Sequence, residues 1–225
     1  MKLETHLHTS EVSPCGMVDA RTAVRQYAGA GYGGIIVTDH FGSYSLDLFA
    51  GTPKEKAEQF FRGYRLAKEE GEQCGIAVLF GAEISLEEGP EDYLLYGITP
   101  AFILDNPLLY TVSLPELYRT VHSAGGLVVQ AHPFREYCRP GDPAFLDGAE
   151  VFNGNPRHNS RNHLAAAFAE VNGLAVRTSG SDYHQLEDLA RGGIVFDCPI
   201  HTEQDFAQAL LRGEGVLIQT DKTGK

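Results

Sequence analysis

Lys2-Leu3-Glu4-Thr5-His6-Leu7-His8 reads as a strand that ends in two histidines. Side chains alternate across a strand, so residues i and i+2 share a face and the two imidazoles stand side by side. Such a pair can begin a metal site, but one strand offers at most two convergent ligands. The rest of the chain supplies more at the ends of apolar runs. Gly34-Ile35-Ile36-Val37-Thr38 leads into Asp39-His40, and Val78-Leu79-Phe80-Gly81-Ala82 into Glu83. Leu127-Val128-Val129-Gln130-Ala131 leads into His132, and Val176-Arg177-Thr178-Ser179-Gly180-Ser181 into Asp182-Tyr183-His184. Repeated endings drawn from His, Glu and Asp point to strand ends that converge on a polynuclear metal site.

Working outward, strand and helix patterns alternate to the end of the chain. Asp19 is placed to cap a helix with Ala20, Ala23, Val24, Tyr27 and Ala28 on one face. Thr52-Pro53-Lys54-Glu55 and Ser113-Leu114-Pro115-Glu116 read as capping boxes. The first opens a helix with Ala57, Phe60, Phe61 and Tyr64 inside. A later helix is expected to bury Leu164, Ala167, Phe168 and Val171, and a last one, starting near Thr202, to bury Phe206, Ala209 and Leu210. Strands are expected at 76–85, 93–98, 127–131, 149–152 and 174–178, with short ones at 193–196 and 216–219. Runs of Val, Ile and Leu without polar alternation favour a parallel sheet covered by helices. About seven such units favour a closed or nearly closed barrel of the TIM type, because a barrel brings many strand ends to one mouth. An open doubly wound sheet explains the order equally well but does not gather those ends.

The 225 residues, 43% apolar and 21% charged, are those of one globular domain with a sizeable core. No apolar run approaches the ~20 residues of a membrane span. The start, Met1-Lys2-Leu3-Glu4, lacks the apolar stretch of a signal peptide, so the expectation is a cytoplasmic protein with no membrane partner. Cys15, Cys74, Cys138 and Cys198 are too scattered for a disulfide framework or a zinc knuckle. The net charge of -12 and the absence of a clustered basic patch argue against duplex nucleic acid as a partner. No G-x-G-x-x-G follows the first strand and no P-loop occurs, so no nucleotide cofactor is indicated.

The motifs His6-x-His8, Thr38-Asp39-His40, Gly81-x-Glu83, Ala131-His132-Pro133 and Gly180-Ser181-Asp182-x-His184 come in the order and approximate positions of the PHP (polymerase and histidinol phosphatase) family, which the whole chain, residues 1–225, resembles. The resemblance implies an irregular (β/α)7 TIM-like barrel holding two or three divalent ions of Zn, Mn or Fe. It implies a free-standing phosphoesterase acting on a small phosphorylated metabolite, a phosphomonoester of histidinol-phosphate or nucleotide type. Carried over, His6, His8 and Asp182 hold one metal, Glu83 bridges to a second held by His132, and His40 and His184 hold a third. Asp92 stands where the family usually has a histidine after the Gly-x-Glu strand. In the loop after His6-x-His8 the family usually has a third-metal ligand. Here the run Thr9-Ser10-Glu11-Val12-Ser13-Pro14-Cys15 offers only Glu11 and Cys15 as strong donors, and Glu11 is slightly preferred because a lone cytosolic zinc thiolate is less usual.

The residue mix has a physical logic. Imidazoles with carboxylates suit Zn, Mn and Fe(II), whereas an all-oxygen set suits Mg or Ca. A carboxylate bridges two cations readily. Two metals can share a hydroxide, lower its pKa and clamp a phosphoryl group. Glu83 in an apolar strand needs a cation or donors. Asp39 reads as a residue that orients a ligand imidazole, and Glu150 and Asn153 are candidates for the same work. Arg135, three residues after His132, is placed to bring its planar fork to a phosphate. Arg157, His158 and Arg161 follow a strand end and are candidates for substrate contact, or for a polar loop capping the next helix. Asp182 or His184 could protonate the leaving group. His122 and His201 read as structural. The alternatives are a phosphodiester or amide hydrolase on the same metals, and a catalytically silent metal-binding regulatory domain.

Overall fold

A computed structural model describes residues 1–220. In chain order the elements are β1 (Lys2–Leu7), α1 (Ala20–Gly29), β2 (Gly34–Val37), β3 (His40–Phe41), α2 (Ser43–Leu46), α3 (Pro53–Phe60), α4 (Arg62–Cys74), β4 (Ala77–Phe80) and β5 (Ala82–Ser85). There follow β6 (Asp92–Tyr96), α5 (Pro100–Asp105), α6 (Leu114–Ser123), β7 (Leu127–Gln130), β8 (Gly148–Asn153), α7 (Asn162–Val171), β9 (Val176–Gly180), β10 (Ile194–Val195), α8 (Glu203–Leu211) and β11 (Val216–Leu217).

The mixed α/β architecture is as the sequence pattern implies. The strands form two hydrogen-bonded sheets, ordered β11-β10-β1-β2-β4 and β3-β5-β6-β7-β8-β9. Sheet hydrogen bonding alone therefore does not draw one closed ring. The sheets approach each other at two seams. At one, β4 passes into β5 across Gly81, where an added Cβ would sit 3.0 Å from Ile36 and 3.1 Å from the Leu95 carbonyl. At the other, Leu7 bridges in parallel to Tyr183, and the Thr5 hydroxyl donates to the Ser179 carbonyl at 2.8 Å. The single strand expected over 76–85 is thus two strands in two sheets.

The all-parallel expectation is corrected too. β6 runs antiparallel to both β5 and β7, and β10 antiparallel to β1. Only residues 86–91 join β5 to β6, too short a link for the crossover that a parallel pair requires. β1–β2, β2–β4, β7–β8 and β8–β9 are parallel.

Capping follows local chemistry. Asp19 accepts from Thr22 N, and Thr52 with Glu55 closes a capping box. Ser113 makes no side-chain cap; Leu114 N donates instead to Glu88 at 2.9 Å. The helix expected after Thr52 breaks at Phe61 into α3 and α4. α7 buries Ala165 and Ala169 and half-buries Phe168, leaving Leu164 and Val171 exposed, so its inner face is turned by about one residue from the expected one. Two small residues there let the helix lie close on β8.

The core explains why the ligands face inward. One cluster takes Leu3, Ile36, Leu79, Leu94, Val129, Val176 and Ile194 from strands of both sheets and is sealed by Phe206 and Leu210 of α8. A second, larger cluster lies between strands and helices and includes Leu7, Ile35 and Val37. Leu3 and Leu7 would share a face on a regular strand. The register of β1 against β2 shifts between Glu4 and Leu7, and this irregularity turns the alternation over. Leu7 packs outward as a result, and His6 and His8 point into the enclosed interior.

Candidate metal centre

The imidazoles of His6 and His8 are fully buried, with their Nε2 atoms 3.1 Å apart. The carboxylate of Glu83, on β5, lies between them. His6 Nε2 is 3.3 Å from Glu83 Oε1 and His8 Nε2 is 3.2 Å from Oε2. His132 Nε2 approaches Oε1 at 3.2 Å, and His40 Nδ1 approaches Oε2 at 3.1 Å. Asp182 Oδ1 completes the ring, 3.4 Å from His6 Nε2 and 3.3 Å from His184 Nδ1. Ligand atoms of His6, His8 and Asp182 lie within 4.8 Å of one another, as do those of His6, Glu83 and His132, and those of His8, His40 and His184.

His132 and Asp182 adopt positive φ, 28° and 50°. Non-glycine residues in that region are sparsely populated and strained, and such strain gathers at functional sites. Surrounding contacts fix the ring orientations. Glu150 Oε1 accepts from His6 Nδ1 at 2.9 Å, which leaves Nε2 free to face the centre. Its Oε2 accepts from His132 N at 3.1 Å and from Asn153 Nδ2 at 2.8 Å. His8 Nδ1 lies 3.1 Å from Ser13 Oγ, which donates to Asp39 at 2.7 Å. Asp39 therefore orients His8 through a serine rather than directly. Thr9 holds Asp39 by backbone and hydroxyl bonds, each 2.7 Å.

The electrostatics are those of a site built for cations. Both oxygens of Glu83 and Nδ1 of His40 are buried without a hydrogen-bond partner among the described residues. Four imidazole nitrogens lie 3.1–3.3 Å from the two Glu83 oxygens. A buried carboxylate left in this way costs several kcal/mol, and divalent ions between it and the nitrogens remove that cost. The donor set of imidazole nitrogens and carboxylate oxygens thus fits metal ions. Burial alone would raise the pKa of Glu83; the imidazole of His6 beside it holds it well below the usual carboxylate range. Burial would also raise that of Asp182, but the Arg135 guanidinium and His6 hold it low. Burial drives His40 down to about 3 and His184 to about 4, keeping both neutral and able to offer lone pairs.

The remaining predicted residues divide. Asp92 is at the site: Oδ2 is 4.0 Å from His132 Nε2, Ser85 Oγ donates to its other oxygen, and burial with the Glu83 charge pushes it up to about 6. Arg135 is buried beside the centre, and its guanidinium is bonded to Asp182 and, at 2.9 Å, to Asn153. Arg157 lines the cavity but is engaged by Asp188 and Glu187. His158 lines it too, and burial lowers its pKa. Glu11 is not with the cluster: its carboxylate accepts from Ala20 N at 3.1 Å and caps α1. The loop residue that reaches the centre is Cys15, with Sγ 3.1 Å from His184 Nε2. The loop brings Glu11 back to the start of α1, where free amides satisfy a carboxylate.

Sequence reasoning passed over Glu4. It is fully buried and accepts from the backbone of Thr5, His6 and Ser181 and from the hydroxyls of Ser181 and Tyr27. It ties β1 to the segment carrying Asp182. It lies in a strand that is buried from Leu3 to Leu7. Tyr137, Asn155 and Gln185, also not foreseen, line the same cavity of about 220 Å³ with Cys15, His40 and Asp92.

Residues 159–214 match the PHP-associated family model. None of the curated proteins compared matches the sequence. Among solved structures the fold is similar to that of a two-domain protein of Bacteroides vulgatus containing a predicted PHP-like metal-dependent phosphoesterase, with TM-score 0.70 and 17% identity over 97% of this chain. This chain spans 64% of the length of that protein. It is similar to PsfC of Pseudomonas syringae, with TM-score 0.73 and 16% identity, covering 99% of this chain and 93% of that one. An amidohydrolase of Chromobacterium violaceum, with bound sulfate and no metal, gives TM-score 0.57 and 18% identity, covering 96% and 98%. At these identities the likeness is one of fold. A PHP-associated segment is thus matched near the C-terminal end, and the fold along the chain is similar to that of a protein containing a PHP-like domain.

Proposed function

We propose that this chain is a metal-dependent phosphomonoesterase acting on a small phosphorylated metabolite. The observation that carries the reading is Glu83, with both oxygens buried and unpartnered among the nitrogens of His6, His8, His40 and His132. Two or three ions of Zn, Mn or Fe fit that donor set. His6, His8 and Asp182 would hold one, Glu83 would bridge to a second with His132 and Asp92, and His40 and His184 would hold a third. Such ions supply, when bound, Lewis acidity for an attacking water and for the phosphoryl oxygens.

The chain's own residues do the rest. Arg135 sits at the cavity wall, where its planar fork can share itself between Asp182 and a phosphoryl oxygen. Arg157 and His158 line the outer wall, where the ester's organic part would lie. The cavity, about 220 Å³, suits a phosphoryl group rather than a nucleic-acid duplex. The two sheets read as halves of one irregular (β/α)7 barrel, supported by the inner cluster that draws on both. The hydrolase domain is read as the whole chain, in a cytoplasmic protein.

An amide hydrolase on the same centre is the second reading, favoured by the fold likeness to the Chromobacterium amidohydrolase. The test is a panel of phosphomonoesters, phosphodiesters and lactams, assayed with protein reconstituted in Mn(II) or Zn(II). Phosphate release from monoesters above the other classes is expected. Turnover of lactams alone supports the second reading, and no turnover by metal-loaded protein across the panel points to a silent binding domain.

A further inference from the structure

The segment from Thr9 to Gly16 folds back on itself after β1. Ser13 N donates to Thr9 O at 3.0 Å and Gly16 N to Ser13 O at 2.9 Å. Gly16 is there because a Cβ would lie 2.9 Å from the Thr9 carbonyl carbon and oxygen. Met17 N then donates to His184 O at 2.8 Å, pinning the loop to the far side of the mouth. Cys15 is thereby carried into the cavity, with Sγ 3.1 Å from His184 Nε2. A thiol that made only this contact would be a weak hydrogen-bond donor.

The surroundings ask for more. His8, His40 and His184 bring three ligand atoms within 4.8 Å of one another. Glu83, its side chain 1% exposed, points its unpartnered Oε2 at His40 Nδ1 and His8 Nε2, 3.1 and 3.2 Å away. With His8 given to the first ion, His40, His184 and that carboxylate oxygen are one donor short of the four that a zinc-type ion takes. Cys15 is the sulfur at that cavity wall. We propose that Cys15 gives a thiolate to the ion held by His40 and His184 beside Glu83 Oε2, so that this end of the centre selects Zn(II) over Mn(II), while the end with Asp182, Asp92 and Glu83 Oε1 stays oxygen-rich. The inference rests on the metal-centre reading above. On binding, the S–H bond breaks, a metal–sulfur bond forms and the proton goes to solvent. The selection follows because thiolate is a soft donor and Mn(II) prefers carboxylate and water.

The experiment uses the full chain, stripped of metal and reloaded with Zn(II) or Co(II) alone. Zinc-edge X-ray absorption of the wild type should show a sulfur scatterer at about 2.3 Å, and the Co(II) form a thiolate charge-transfer band in the near ultraviolet. Cys15→Ser should lose both signals, and Cys74→Ser should keep them. Cys15→Asp, which restores a hard donor, should lower the Zn(II)-to-Mn(II) affinity ratio by about tenfold or more. Protein that loads two or more ions per chain with no sulfur signature overturns this inference and leaves the metal centre standing. Protein that loads no ion overturns both. The wild-type spectra decide the matter even if Cys15→Ser fails to fold.

Discussion

Replacing Glu150 by Gln tests how the centre is held without touching a ligand. Glu150 is almost fully buried, and all three of its partners donate: His6 Nδ1 at 2.9 Å, His132 N at 3.1 Å and Asn153 Nδ2 at 2.8 Å. A glutamine of the same size has one accepting oxygen and one NH2 group. If the oxygen stays with His132 and Asn153, the NH2 meets the Nδ1–H of His6. The imidazole then moves its proton to Nε2, the atom that faces Glu83 and Asp182. A lost bond to a charged acceptor is worth about 1.5–3 kcal/mol, which is roughly 10- to 150-fold in affinity. That range overlaps the roughly 10- to 100-fold seen when a ligand's supporting partner is removed. The assay is competition for Zn(II) against a chromophoric chelator, with melting of the metal-free proteins to verify the fold. A variant that melts normally and binds zinc within about twofold of wild type refutes the argument that Glu150 sets the tautomer.

Glu83→Ala should remove both metal and turnover, because it deletes the carboxylate shared by the imidazoles; full turnover at unchanged metal content would falsify its bridging role. Arg135→Ala should weaken inhibition by inorganic phosphate by about 1.5–3 kcal/mol with little change in metal content, and equal inhibition of mutant and wild type removes Arg135 from the phosphate site. Gly63→Ala places a Cβ 2.0 Å from Thr9 Oγ1 and 2.8 Å from Asp39 Oδ2. It should destabilise the fold by about 1–3 kcal/mol, visible as a lower Tm, and an unchanged Tm means that the Thr9–Asp39 contact is soft.

The residues gathered at the centre were legible because they end apolar strands, and a strand end fixes where a side chain goes almost regardless of the loop beyond. His6, His8, Glu83, His132 and Asp182 are of this kind. Cys15 against Glu11 was not legible, because both sit in a turn whose path depends on Gly16 packing on Thr9 and on a bond across to His184. Glu11 also had a competing use at the start of α1. Strand direction was missed at β6 because apolar periodicity carries no arrow; the short link 86–91 was the available sign. The inner face of α7 differs from the expected one because close packing on β8 selects alanines over larger apolar residues. Arg135 was foreseen at the mouth but not in its bond to Asp182, a contact between segments remote in sequence.

The account stands most directly on the metal content of the whole protein, purified without chelator and measured by elemental analysis against protein concentration. Two or three equivalents of Zn, Mn or Fe per chain are expected, falling by at least one when Glu83 is replaced by Ala. Protein that carries no divalent metal as purified, and takes up none when incubated with Zn(II) or Mn(II), contradicts the central claim.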